Sequence, residues 1–434
     1  MGAGLLLVLA ANLPGHMSYD SVVALVEARS GVRQTWAPAV SSWLLKLFDS
    51  LVAGTGLYVT ASATLLFVSL LSLTSLRQRT SWLAVALGVL AIATPQVLIY
   101  QGIVWRDVLF ANLTIAGFVC LAHLAKRWPD RRTLPLIGAL ICLALAGLVR
   151  QNGLILVVFA AGVLAWTARS GGRRASLAWG LGGLVAAGVL ALAVDHIAQP
   201  APPATKLRRA SLILEHYDIV GAKAHHPKLR FTAIAKADPA AAAYLEANAA
   251  ANYSQARVDT LDTNETFRKT LWHVPDAAMN AEWIEVITRY PAAYALQRAD
   301  VFRWVFLTPK LEMCLPVQVG VSGPDAMLVD LDIVSGVDIQ DQALADYAKR
   351  FYPTPVYSHL TWALAAVAVI FLLLRRRDPA DWVIVSLLAG TLVFTASFAV
   401  ISVACDYRYL YLLDLAAMVG LVYAALDPSF RKRV

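Results

Sequence analysis

Charge is scarce in this chain. Asp, Glu, Lys and Arg make up 15% of its 434 residues, against 59% hydrophobic residues and a mean hydropathy of +0.60. That balance excludes an ordinary soluble domain. Cysteine is scarcer still. There are four and no Cys-x-x-Cys, and Cys120 and Cys142 lie inside apolar runs. They offer neither a disulfide framework nor a metal site. Cys314 and Cys405 share one side of the topology derived below, and an unlinked pair is the expectation for them. No basic n-region or small-residue cleavage site marks a removable leader. The middles of the second to ninth apolar runs hold almost no ionisable side chains, which counts against ion- or proton-coupled transport. The formal charge of +8 does not imply nucleic acid, because the basic residues cluster in short loops between apolar runs, where topology and lipid headgroups explain them.

What the chain does have is length in its apolar runs. Leu5–Ala11 is short for a crossing, so the first helix draws on a few more residues or the chain start is incomplete. Nine further runs follow: 55–76, 82–100, 108–124, 134–148, 153–166, 175–194, 359–374, 382–403 and 409–426. Basic residues mark every second connection: Arg77/Arg79, Lys126/Arg127/Arg131/Arg132, Arg169/Arg173/Arg174, Arg375/Arg376/Arg377 and Arg431/Lys432/Arg433. The positive-inside rule puts these, and both termini, in the cytoplasm. The expected fold is an all-α integral membrane protein of about ten spans. Residues 1–196 form a transmembrane module, 197–357 a mostly helical outward loop region with no independent domain, and 358–434 the closing helices. That loop opens on Pro200, Pro202 and Pro203, and its run Arg298–Phe306 reads as a segment lying on the bilayer.

The first outward loop is the most informative stretch. Tyr19, Val22, Val23 and Val26 form one helical stripe over 20–30, and 38–51 is a second amphipathic helix with Pro38 in its first turn. Asp20 stands at the start of the first helix. The other unusual polar residues also gather at outer ends: His16, Arg106 and Asp107, Arg150, and Arg408 beside Tyr409. Arginine forks suit phosphate, and a carboxylate can take a proton from a hydroxyl. Each residue has a plainer reading: Asp20 as a helix-dipole complement, His16 as a turn histidine, Arg106–Asp107 as a local ion pair, Arg150 as a snorkelling side chain, and Arg408 with Tyr409 as part of an aromatic belt. Glu27 and Asp49 read as wet residues on polar helix faces, His225, His226 and His273 as solvated, and Asp414 as an acid paired with a neighbour.

The wording Gly15-His16-Met17-Ser18-Tyr19-Asp20-Ser21, Tyr100-Gln101-Gly102-Ile103-Val104-Trp105-Arg106-Asp107 and Arg408-Tyr409-Leu410-Tyr411 resembles the GT-C membrane glycosyltransferases, among them bacterial relatives of protein mannosyltransferases and aminoarabinose transferases. The resemblance covers most of the chain. It implies an inverting transferase that moves a sugar from a polyprenyl-phosphate donor to an envelope acceptor at the outer face of a bacterial inner membrane. Asp20 would be the general base and Asp107 the second acid. Arg408, helped by Arg150 or Arg106, would hold the lipid phosphate. His16, Tyr19 and Tyr409 are further candidates. Paired acids stand in the first loop of many relatives, whereas Ser21 follows Asp20 here, so a divalent ion on Asp20 and Asp107 is optional in this reading. An envelope-polymer ligase and a lipid or small-molecule transporter are the alternatives.

Overall fold

The computed structural model describes residues 1–428 except 34, 36, 79, 131, 202–209 and 377. Pro202, Pro203, Arg79, Arg131, Arg377 and the basic residues 431–433 named above lie outside the described residues. The regular structure is helical, with only isolated bridges between extended residues among the described ones. In order the helices are α1 (Gly2–Asn12), α2 (Tyr19–Ser30), α3 (Ala39–Asp49), α4 (Gly56–Leu73), α5 (Trp82–Ala93), α6 (Pro95–Leu98), α7 (Arg106–Lys126), α8 (Thr133–Val149), α9 (Leu154–Thr167) and α10 (Gly172–Ala198). There follow α11 (Ala210–His225), α12 (Thr232–Ala237), α13 (Pro239–Asn252), α14 (Thr260–Thr263), α15 (Glu265–His273), α16 (Asp276–Arg289) and α17 (Pro291–Leu307). The last are α18 (Asp325–Leu331), α19 (Ile339–Lys349), α20 (His359–Arg376), α21 (Pro379–Ile401) and α22 (Tyr411–Leu426).

The chain divides into two compact units. One comprises residues 1–204, 317–395 and 410–434, the other 205–316 and 396–409. The expected outward segment 197–357 is therefore not one region, because its last part, from Val317, belongs with the apolar helices.

The first unit is built around α7 and α22, apolar on all sides and buried over almost their whole lengths. α7 packs on α4, α8 and α22, α5 and α20 pack on α22, and α9 packs along α10. Six helical runs are long and apolar enough to cross a membrane: 56–76, 106–126, 151–198, 359–376, 379–401 and 407–426. The run 151–198 holds both α9 and α10, separated by a tight turn at Ala168–Gly171. A seventh crossing counts if the bent pair 82–93 and 95–102 is one span. The chain is an all-α membrane protein. The bend, 71°, falls where an unbroken run was expected. Pro95 has no N–H to give and forces Thr94 out of the helical region, to ψ 146°.

The α2–α3 hairpin forms as expected, although α3 starts one residue after Pro38. Its buried face keeps part of the expected stripe: Val22 and Val23 are buried, joined by Leu25 and Ala28, while Tyr19 is 58% exposed. Glu27 is not wet but buried, accepting from the Thr35 N–H at 2.7 Å and the Ser42 hydroxyl at 2.8 Å. Nor is Asp49 merely wet. The Arg29 fork grips it at 2.9 and 3.0 Å, which holds its carboxyl below the usual carboxylate range. These two carboxylates lock the turn between the helices, and helix spacing alone cannot distinguish them from solvated acids.

The second unit has its own apolar core, with Tyr217, Phe231, Leu245, Phe267, Met279 and Val301 among its fully buried members. Arg298 does not lie on a bilayer. It is buried, paired with Asp218, and donates to the Ser402 carbonyl at 2.7 Å. His225 is not a free loop residue either, since its ring bonds the Gly221 carbonyl and the Asp300 carboxylate, each at 2.8 Å. Cys314 and Cys405 are joined in a disulfide, contrary to expectation. The backbone explains the pairing: Cys405 N–H bonds Ala256 O and Val258 N–H bonds Val403 O, both at 2.9 Å, which lays 402–405 beside 254–258.

Candidate functional site

The site begins with a chain reversal after α1. Leu13 is extended, and Gly15 has φ +120°, where any side chain would be strained and a Cβ would meet Val59 at 2.9 Å. Residues 16–18 then run straight. His16 N–H bonds Gly102 O and Val104 N–H bonds His16 O, both at 2.9 Å. On the other edge Met17 N–H bonds Gly320 O and Ser322 N–H bonds Met17 O, again at 2.9 Å. Three extended stretches thus satisfy one another's backbone groups. Close approach makes this possible, because a Cβ on Gly102 would fall 2.2 Å from Asn12.

His16 is the pin of this patch. The Asn12 amide donates to Val8 O at 2.6 Å and Leu98 O at 2.7 Å, which leaves its oxygen to face His16 Nε2 at 2.9 Å. Gly320 N–H points at Nδ1 at 3.1 Å. Nδ1 is therefore the acceptor and Nε2 carries the proton. Burial lowers the imidazole pKa from its ordinary 6.5, against the pull of Asp341 and Asp338, and so favours this neutral form. The histidine holds chain segments together, as in the plainer of its two sequence readings.

Two serines then carry the patch into α2. Ser21 sends its hydroxyl to Val104 O at 2.7 Å, and the Trp105 indole N–H donates to Ser18 Oγ at 2.9 Å. Asp20 and Tyr19 consequently stand exposed on the first turn of a helix anchored to residues 104–105. Arg106 and Asp107 open α7 directly after Trp105. Asp107 is 2% exposed, and it pairs with Arg150 at the end of α8, a contact the sequence did not suggest. The Arg150 guanidinium also lies 5.9 Å from the Phe394 ring centre. One corner of the first unit thus gathers Asp20, Tyr19, Trp105, Arg106 and the Asp107–Arg150 pair.

Arg408 and Tyr409 belong to the second unit. Arg408 bonds Asp406 at 3.1 Å, and Tyr409 stacks on Phe398 with ring centres 5.7 Å apart. A divalent ion on Asp20 and Asp107 does not fit this donor set. Asp107 is neutralised by a guanidinium, and among the described residues no three His, Cys, Asp or Glu side chains gather.

Sequence reasoning did not single out Ser18, Ser21, Asn12 or the 318–322 stretch as builders of the site. A Ser-x-x-Ser spacing at a helix start was the available signal for the first two. It also missed His359, whose Nδ1 lies 2.8 Å from Asp414 with both side chains fully buried. Comparison of the chain with family models, with curated proteins and with solved structures finds no match.

Proposed function

We propose that the protein is a membrane glycosyltransferase of the GT-C type, taking a sugar from a polyprenyl-phosphate donor and passing it to an envelope acceptor. The observation that carries this reading is the anchoring of the exposed Asp20 to the turn that opens α7, beside a guanidinium–carboxylate pair. In this mechanism the Asp20 carboxylate takes the acceptor hydroxyl proton as that oxygen bonds the anomeric carbon. The bond from that carbon to the phosphate oxygen breaks with its electron pair, and the centre inverts. Arg150, oriented by Asp107, and Arg106 meet the charge that develops on the departing phosphate. Arg408 is the further phosphate ligand that the sequence resemblance supplies.

The topology is part of the proposal. Counting α9 and α10 separately, the bent pair as one span, and the shorter apolar helices α1 and α8 gives ten crossings. Basic connections then face the cytoplasm of a bacterium. The Cys314–Cys405 bridge supports an oxidising, outward side for the second unit. Asp20→Asn, assayed as purified full-length protein with a labelled polyprenyl-phosphate sugar, is expected to fold normally and lose transfer; full activity overturns the mechanism. The buried His359–Asp414 pair favours a second reading, transport. Uptake into sealed vesicles that persists without sugar transfer would select it.

A further inference from the structure

The end of α7 opposite Asp107 carries a feature that sugar transfer does not use. Cys120 and His123 share one face of α7 at i and i+3, and Arg127 follows directly after its last residue. With Thr133, Leu134 and Pro135 of α8 they line an open cavity of about 670 Å³. Beside it a groove of about 350 Å³ runs between α8, α9 and α10, walled by Leu136, Leu140, Leu164, Trp179 and Gly182. α8 contributes to both spaces. The mouth of the first is cationic and the second is apolar throughout apart from the Trp179 indole N–H.

The cation at the mouth is not committed elsewhere. Lys126 holds Asp378 at 2.5 Å, whereas its exposed neighbour Arg127 has no ion-pair partner among the described residues. His123 is half-buried, with Nε2 3.3 Å from Ser72 Oγ. Close by, the Arg132 guanidinium lies 5.5 Å from the Trp128 ring and 5.1 Å from the Trp179 ring, the two indoles meeting edge to face at 5.0 Å. Paired tryptophans capped by arginine suit the level where hydrocarbon gives way to headgroups. The two connections at this end carry Lys126, Arg127, Arg131 and Arg132 against Asp130, and Arg169, Arg173 and Arg174 with no acid. The local charge is strongly positive.

We infer that this is a binding site for an anionic phospholipid. Its phosphate lies against Arg127 and His123 and an acyl chain lies in the Trp179 groove. The site is independent of the transferase reading. A zwitterionic lipid gains less here, because its own ammonium opposes the surrounding cations.

The test is native mass spectrometry of the purified full chain, titrated in detergent with phosphatidylglycerol or phosphatidylcholine. The expected result is at least fivefold preferential retention of phosphatidylglycerol, cut about fivefold by Arg127→Ala. Gly182→Leu should cut it as well while leaving every charge in place. A Cβ at Gly182 meets no atom within 4 Å, so the new side chain starts from open space at the groove wall. Inorganic phosphate at millimolar concentration should leave the bound lipid in place. Equal retention of the two lipids overturns the inference. So does parental retention in both variants, or displacement by phosphate alone, which would mark a small-anion site. Thermal unfolding of each variant separates lost binding from lost fold.

Discussion

The two ends of α7 use charge differently. At its start Asp107 meets Arg150, while Asp20 and Tyr19 stand exposed on the neighbouring helix. At its finish, Arg127 apart, two acids gather the neighbouring cations. Asp381 takes Arg77, Arg376 at 2.7 Å and the Tyr423 hydroxyl at 2.8 Å, and Asp378 takes Arg77 at 3.2 Å and Lys126 at 2.5 Å. That network ties the ends of α4, α7, α20, α21 and α22 into one knot. A carboxylate buried among several cations holds structure, whereas an exposed one on the first turn of a helix can be reached by a substrate.

The sharpest way to break this contrast is Asp20→Asn. Loss of a general base is expected to slow transfer by about 10²–10⁴-fold while the melting temperature stays near the parent's. Asp381→Ala should do the reverse. It strands buried cations, so about 3–5 kcal/mol of stability should disappear, read as a large fall in the thermal midpoint in detergent. If Asp381→Ala spares stability, the closed network is not structural and the comparison fails. Removing the disulfide with Cys314→Ser is expected to destabilise the second unit by about 2–5 kcal/mol, seen as faster proteolysis within 210–307.

A smaller effect sharpens the picture within the second unit. Burial pushes the Asp218 carboxyl up to about 6, outweighing the opposite pull of Arg298 and Trp283. A carboxyl whose folded pKa is raised stabilises most when protonated in both states. Its contribution is therefore full below about pH 4 and is lost as pH rises through about 6. Thermal unfolding followed by tryptophan fluorescence should show stability falling across that window by up to about 3 kcal/mol, and Asp218→Asn should flatten the slope. An unchanged slope would mean that the Arg298 pairing dominates instead.

The apolar helices were legible because hydrocarbon length and composition are local properties, readable within each run. So was the hairpin at 19–49, whose period is also local. The bend at Thr94–Pro95 was legible in principle, since proline's missing donor is visible in sequence, yet an apolar run of the right length hid it. The partners were not legible. Asp107 pairs with a residue 43 positions on, Glu27 and Arg298 are buried, and Asp49 is gripped by Arg29, all through contacts that no periodicity encodes. The site was half visible. The residue types at the chain reversals stood out, but the hydrogen bonds that seat Asp20 run through Ser18, Ser21 and Trp105, which look unremarkable in the string. Cys314 and Cys405, 91 residues apart, gave no spacing signal at all.

That separation has a bearing on how the protein is made. The helices of 205–316 emerge from the ribosome well before 396–409, yet Arg298 needs the Ser402 carbonyl, Val258 needs Val403, and Cys314 needs Cys405. At translation rates of about 5–20 residues per second, these groups wait about 5 to 30 seconds for their partners. Helices α18 to α21 are synthesised in the interval. During that delay Arg298 lacks the carbonyl it will bond and the Cys314 thiol stands open to mispairing, so maturation of this segment depends on whatever shields it until the chain is nearly complete.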